Sequence, residues 1–247
     1  MATIASARPN STARPATDWT RNHARASGIF YLLTFASSIA AVVYFLKPVL
    51  DNPNYIVGPG QDTRVIIGCL LDVVNALTCI GTAVAVYPVV KRQNRSMALG
   101  FVTSRMYEAA VIMVGVICLL AVVALRDATA SGTNANTLVT IGHELVAMRD
   151  YTFLLGPNLA ACVNALLFAT LLLKSRLVPR FIPAMGLAAA PLLLAPTIAT
   201  ILGATEHGSI WWAPGGALIF VWELTVGLYM TFKGFKPTAL TATPPQS

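Results

Sequence analysis

Apolar stretches of about twenty residues recur along this chain, and that is the length an α-helix needs to cross a hydrocarbon core of roughly 30 Å. Few other constraints act so strongly on a fold. With no water in the bilayer core, every backbone N–H and C=O must be satisfied within the segment, so such runs become helices. The composition agrees. Of 247 residues, 56% are hydrophobic and 11% charged, with a mean hydropathy of +0.68. Soluble domains carry about 25% charged residues, so a water-facing surface cannot be built from this chain.

Spans are expected at about 27–46, 65–89, 97–125, 151–173, 181–203 and 212–232. No strand-like alternation occurs. Between the third and fourth spans, TLVTIGHELVAMR carries Leu138, Ile141, Leu145 and Met148 at helical spacing. Two placements fit it, on the membrane surface or as an outward extension of the fourth helix. Lys and Arg outside the spans are unevenly shared. Arg8, Arg14, Arg21, Arg25, Lys91, Arg92, Arg95, Lys174, Arg176, Arg180, Lys233 and Lys236 make twelve on one side. Lys47, Arg64, Arg126 and Arg149 are the four on the other. By the positive-inside rule both termini are expected in the cytoplasm. The net charge of +7 is then a topology signal and an attraction to anionic lipid heads, not a nucleic-acid site. The fold class expected is all-α, a polytopic bundle of six transmembrane helices in a cell membrane. Residues 1–26 read as a disordered basic cytoplasmic tail without a secretory signal, 27–235 as the membrane domain, and 236–247 as a second disordered tail.

Several residues describe the bundle further. Pro183, Pro191 and Pro196 are expected to kink the fifth span or break it into shorter pieces. Gly156–Pro157 is expected to bend the outer end of the fourth. Trp211 and Trp212 fit an aromatic belt. Asp72, Asn75, Cys79 and Thr82 share one face of the second helix, a face that turns inward. Cys69, Cys79, Cys118 and Cys162 all lie in apolar segments, match no zinc or redox spacing, and read as small packing residues.

Four ionisable groups fall within the spans: Asp72, Arg105, Glu108 and Glu223. Thirteen Leu, Ile, Val and Phe in the third span contribute about 4–8 kcal/mol to insertion. An Arg and an acid near the bilayer centre cost about 5–7 kcal/mol together. The two nearly cancel, so this helix needs a partner, water or a shallow position for its charges. Arg105 and Glu108, three apart, share a face. At 1.5 Å per residue they lie about 12 and 16 Å inside one surface, while Glu223 lies about 16 Å, Asp72 about 10 Å and Asn75 about 15 Å inside the other. Depth therefore permits one cluster of Asp72, Asn75, Arg105, Glu108 and Glu223, with Asn158 and Asn164 as further donors. One base cannot neutralise three acids, so at least one acid is expected to be protonated or hydrated in a cavity. An ion pair of this kind also fixes helix register with no ligand at all.

Signatures of soluble catalysis are absent. His143–Glu144 starts like a zinc-protease motif, but HELVA lacks the second histidine. His207 beside Glu206 is a weak metal candidate on the same side. There is no nucleophile elbow, phosphate-binding loop or dinucleotide fingerprint. Ser37 and Ser38 read as helix-packing hydroxyls. No catalytic residue, metal ligand or cofactor is expected.

Five stretches together resemble the bacterial membrane family catalogued as domain of unknown function 4386. They are ASGIFYLLTFASSIA at 26–40, LGFVTSRMYEAAVI at 99–112, YTFLLGPNLAACVNALLF at 151–168, KSRLVPRFIPAMGLAAAPLLL at 174–194 and WELTVGLYMTFKGF at 222–235. They run in that family's order. Its Arg-x-x-Glu corresponds to Arg105 and Glu108 and its acid in the last helix to Glu223, while Asn158 falls where a small residue is usual. The resemblance implies a multi-pass helical protein and brings no activity or substrate. Three readings follow: a protein that binds or moves a small molecule or proton through the polar centre, a structural or regulatory membrane partner protein, or an intramembrane enzyme. The lipid bilayer is the one partner expected in all three.

Overall fold

A computed structural model describes residues 18–58, 60–130, 134–206 and 209–241. Eight α-helices run through them: α1 Asp18–Ala40, α2 Lys47–Leu50, α3 Asp62–Val90, α4 Arg95–Ala130, α5 Ala135–Phe153, α6 Ala161–Ser175, α7 Phe181–Ile201 and α8 Trp212–Phe232. Two π-helical segments, Ala41–Phe45 after α1 and Leu154–Ala160 between α5 and α6, continue their helices without a break. No strand occurs among the described residues. Six of the resulting helices are long and apolar enough to span a bilayer, namely Asp18–Phe45, Asp62–Val90, Arg95–Arg126, Ala135–Ser175, Phe181–Ile201 and Trp212–Phe232.

The spans close into a ring. Each packs on the next in the order α1, α3, α4, α6, α7, α8 and back to α1. Lipid tails are as apolar as the side chains, so small residues and interhelical hydrogen bonds must hold such helices together. Both devices are present. Between α1 and α3, His23 Nδ1 lies 2.8 Å from the Ala85 carbonyl, Ser27 donates to the Thr82 carbonyl at 2.8 Å, and Thr34 donates to Thr78 Oγ1 at 2.9 Å. Between α1 and α8 the backbones meet at Gly28, where a Cβ would lie 2.7 Å from the Gly227 carbonyl oxygen. Trp222 of α8 lies against Gly186 of α7.

Several boundaries differ from the sequence reading. The first span is already helical at Asp18, not 27. Residues 18–26 are too polar for hydropathy to find, but Trp19 stacks under Arg92 and His23 reaches α3, so tertiary contacts hold them. TLVTIGHELVAMR extends the fourth helix outward, giving one helical rod of 41 residues, roughly 60 Å long. Gly156–Pro157, where the sequence suggests a bend, lies in its π segment.

The fifth span neither breaks nor divides: α7 is one helix of 21 residues with Pro191 and Pro196 inside it. Pro183 sits in its first turn, where the missing N–H would have no partner anyway. Pro196 frees the Leu192 carbonyl, and Gly215 of α8 packs on that peptide at a distance no side chain allows.

At one end of the ring lie the α3–α4 and α6–α7 connections, with their clustered Lys and Arg; this is the basic end. Residues 236–241 are tied down there, with Lys236 N–H donating to the Leu177 carbonyl at 2.8 Å and Arg92 to the Leu240 carbonyl at 2.9 Å. At the far end, residues 51–58 pack between α3, α4 and α5. Arg126 pairs with Asp62 at 2.8 Å and donates to the Tyr55 and Gly58 carbonyls. Burial and the Asp62 carboxylate, which accepts the Tyr55 hydroxyl at 2.7 Å, push the Tyr55 phenol up.

Candidate functional site

Arg105 is 1% exposed, in the middle of a lipid-soluble helix. It projects from α4 toward the ring's centre and joins three other spans. Its Nη1 donates to Glu108 Oε2 at 2.9 Å, one turn on along α4. Its Nη2 donates to Glu223 Oε1 of α8 at 2.7 Å and to the Tyr31 hydroxyl of α1 at 3.0 Å. Cys79 Sγ of α3 lies 3.8 Å from Nη1. The guanidinium also sits over the rings of Tyr31 and Phe101, at 5.1 and 5.8 Å. Only Nε lacks a partner. A planar fork with five donors suits this bridging role, where a lysine would not. Asn164 of α6 adds a bond, its Nδ2 donating to Glu108 Oε2 at 2.7 Å. Five of the six spans thus meet at one charged knot.

On the basic-end side of the knot the centre is filled. Phe101 and Phe168, both wholly buried, stack with centroids 4.6 Å apart. On the other side it is hollow. A cavity of about 180 Å³ is lined by Arg105, Glu108, Glu223, Asp72, Asn75 and Arg149. Counting along the helices, it extends from the level of Arg105 through Ile112 and Gly115 to Thr152 and Arg149, roughly 15–20 Å toward the far end. Phe153, at the end of α5, and Pro157, in the π segment of the long rod, flank it, as does Val42 from the π segment after α1. Such bulges recur at functional sites, because the extra residue re-aims neighbouring side chains.

All five residues expected from the sequence line this one cavity, in two groups. Arg105, Glu108 and Glu223 are bonded to each other. Asp72 and Asn75 are not bonded to Arg105. Asp72 is 8% exposed and accepts no hydrogen bond among the described residues; Arg149 shares its cavity and acts on it as a cation. Asn75 Oδ1 lies 3.8 Å from Cys79 Sγ. Asn158 turns to its own backbone, donating to the Phe153 carbonyl at 3.2 Å.

Two members were missed. Tyr31 reads in sequence as one more aromatic in a lipid helix, and its phenol has no nearby motif. Arg149 was counted with the outer loops; the rod's continuity brings it over the cavity, 8% exposed, with Asp150 at 3.5 Å. Its helical register with Thr152 and Gly156 was the available signal.

No group of three or more His, Cys, Asp or Glu is placed to hold a metal among the described residues. His143 Nε2 lies 2.8 Å from the Pro53 carbonyl, and His207 falls outside the described residues. All four cysteines are buried and unpaired.

Six long apolar helices closed around a charged centre define a multi-pass α-helical membrane protein. A family model described as domain of unknown function (DUF4386) matches residues 26–234, and the chain belongs to that family. No curated protein and no solved structure matches the chain.

Proposed function

We propose that the protein binds a proton or a small cationic molecule in the central cavity and passes it within the membrane. The observation that carries this reading is a charge count. With every group ionised, Asp72, Glu108 and Glu223 set three negative charges against Arg105 and Arg149 on one cavity wall. A net charge of minus one in a low-dielectric interior is costly, and a proton or a cation supplies what is missing. The two groups divide the work. Arg105, Glu108 and Glu223 are bonded to each other and to Tyr31 and Asn164, which makes them the scaffold. Asp72, without a bond partner, faces the guest, and Arg149 guards the mouth. Both termini lie in the cytoplasm of a bacterial inner membrane on this reading, with the cavity opening away from it, as the Lys and Arg distribution supports.

The test uses protein reconstituted in liposomes loaded with a pH-sensitive dye, and a strain lacking the gene. Asp72→Asn abolishes proton-coupled flux while Glu108→Gln and Glu223→Gln reduce it. If all three variants fold, carry flux like the parent and complement every defect of the deletion, the cavity has no such role. A second reading has its own support. The bonds from Arg105 to α1, α4 and α8 also suit a structural or regulatory partner protein, in which the knot only sets helix register. That reading requires Asp72→Asn to be silent in every assay.

A further inference from the structure

Four basic side chains converge at the basic end on a cleft of about 600 Å³ between the α6–α7 connection and the tied-down segment after α8. They are Lys174, Arg176, Arg180 and Lys236, all exposed, and no acidic residue lines the cleft. None of the four forms an ion pair among the described residues. Two other cations at this end are engaged: Arg92 holds the Leu240 carbonyl and stacks on Trp19, and Lys91 sits over Tyr87.

A positive-inside signal needs only a count of charges. It does not need charges from separate segments to be gathered and fixed, and here they are. The backbone bond from Lys236 to Leu177 sets one wall against the other. Arg176 adds a second argument. It ends α6 in the left-handed region, at φ 55°, where glycine or asparagine is the usual residue. An arginine there costs backbone energy that glycine would avoid, so the position keeps a guanidinium at the cleft against the local backbone preference. Thr238, on the same cleft, has a buried hydroxyl with no partner among the described residues.

We infer that this cleft binds a phosphate-bearing anion, and that an anionic phospholipid headgroup is its source. Guanidinium forks match phosphate oxygens in pairs, and Lys236 supplies a point charge from the opposite wall. The apolar surroundings favour the lipid: Phe181, next to Arg180, is 65% exposed, and Phe232, four residues before Lys236, is 69% exposed. Acyl chains have surface to follow directly beside the charges.

The experiment follows thermal unfolding of the full chain in a neutral maltoside detergent. Dioleoylphosphatidylglycerol, dioleoylphosphatidylcholine and potassium phosphate are titrated separately, with potassium chloride matched for ionic strength. Phosphatidylglycerol raises the midpoint and phosphatidylcholine does not. The double variant Arg176→Gly, Lys236→Gln needs roughly twenty-five-fold more phosphatidylglycerol for the same rise, about five-fold for each charge removed. Without lipid this variant is at least as stable as the parent, because glycine suits the left-handed position, so its loss of response is not misfolding. Lys91→Gln, Arg95→Gln removes as much charge at the same end and shifts the titration less than about two-fold. Stabilisation by inorganic phosphate that the cleft variant abolishes would keep the phosphate site and make its source soluble. No rise with either probe, or equal losses in the two double variants, overturns the inference.

Discussion

Replacing Arg105 with methionine removes the one cation of the central knot while keeping an unbranched, flexible stem. Glu108 and Glu223, bonded at 2.9 and 2.7 Å to the same guanidinium, are then left facing each other. Neither can stay charged cheaply. The easiest escape is for one to take up a proton and share it with the other. An ordinary glutamic acid held protonated at pH 7 costs about 1.36 kcal/mol for each of the roughly 2.7 pH units above its reference value, or about 3.7 kcal/mol. Losing the 3.0 Å bond to Tyr31 adds about 1 kcal/mol. The expected loss is therefore about 4–5 kcal/mol at pH 7, within the range seen when one partner of a buried pair is deleted. The pH dependence follows in sign. The folded variant holds one proton that its unfolded chain does not, so its stability rises as pH falls, by about 1.36 kcal/mol per unit. Relative to the parent, going from pH 7 to pH 5 should return about 2.7 kcal/mol, because any proton taken up at Asp72 stabilises both proteins alike. Adding Glu223→Gln removes one of the two acids and should recover most of the loss at pH 7. The assay is unfolding by sodium dodecyl sulfate in mixed micelles, followed by tryptophan fluorescence and by elution volume. A methionine variant within about 1 kcal/mol of the parent at pH 7, or one equally impaired at both pH values, would refute the reasoning.

Three further outcomes are expected. Asp72→Asn removes charge from a buried carboxylate with no bond partner, so the same titration should show unchanged stability or a gain of about 1–3 kcal/mol; a clear loss would mean that Asp72 is a structural anchor. Gly215→Ala should cost about 1–3 kcal/mol, because its Cβ would lie 2.5 Å from the Leu192–Leu193 peptide, whereas Gly216→Ala, with nothing within 4 Å, should be neutral or stabilising by up to about 1 kcal/mol. Thermal midpoints of the two variants check the pair. Because the four native cysteines are buried, a membrane-impermeant maleimide should leave intact cells unlabelled, label Asp51→Cys directly, and label Lys91→Cys only after permeabilisation; the reverse pattern would invert the topology.

What could be read from the sequence is what depends on distance along a helix. The apolar runs locate all six spans, and rise per residue puts Arg105, Glu108 and Glu223 at one depth. What depends on which helix stands beside which could not be read. Asp72 lies at a compatible depth yet belongs to the far part of the cavity, with Arg149, because α3 presents it one and two turns beyond Asn75 and Cys79. Tyr31 was invisible for the same reason: no property of FYLLTF says that α1 closes the ring against α4's arginine. Arg149 was lost through a boundary, since polar helix beyond the lipid is silent to hydropathy. The prolines of α7 misled because their cost depends on what covers the freed carbonyl, and only packing reveals Gly215.

The 41-residue rod invites a mechanical view. Its π segment lies about two-fifths of the way from Ser175, and some 30 Å of helix extend from there to Ala135. Pivoting by ten degrees at that point would swing the tip by roughly 5 Å and carry Arg149 by about 2 Å. Because α5 packs along α4 and on Ile56, any such movement would be shared with them, and the width of the cavity at Arg149 would follow it.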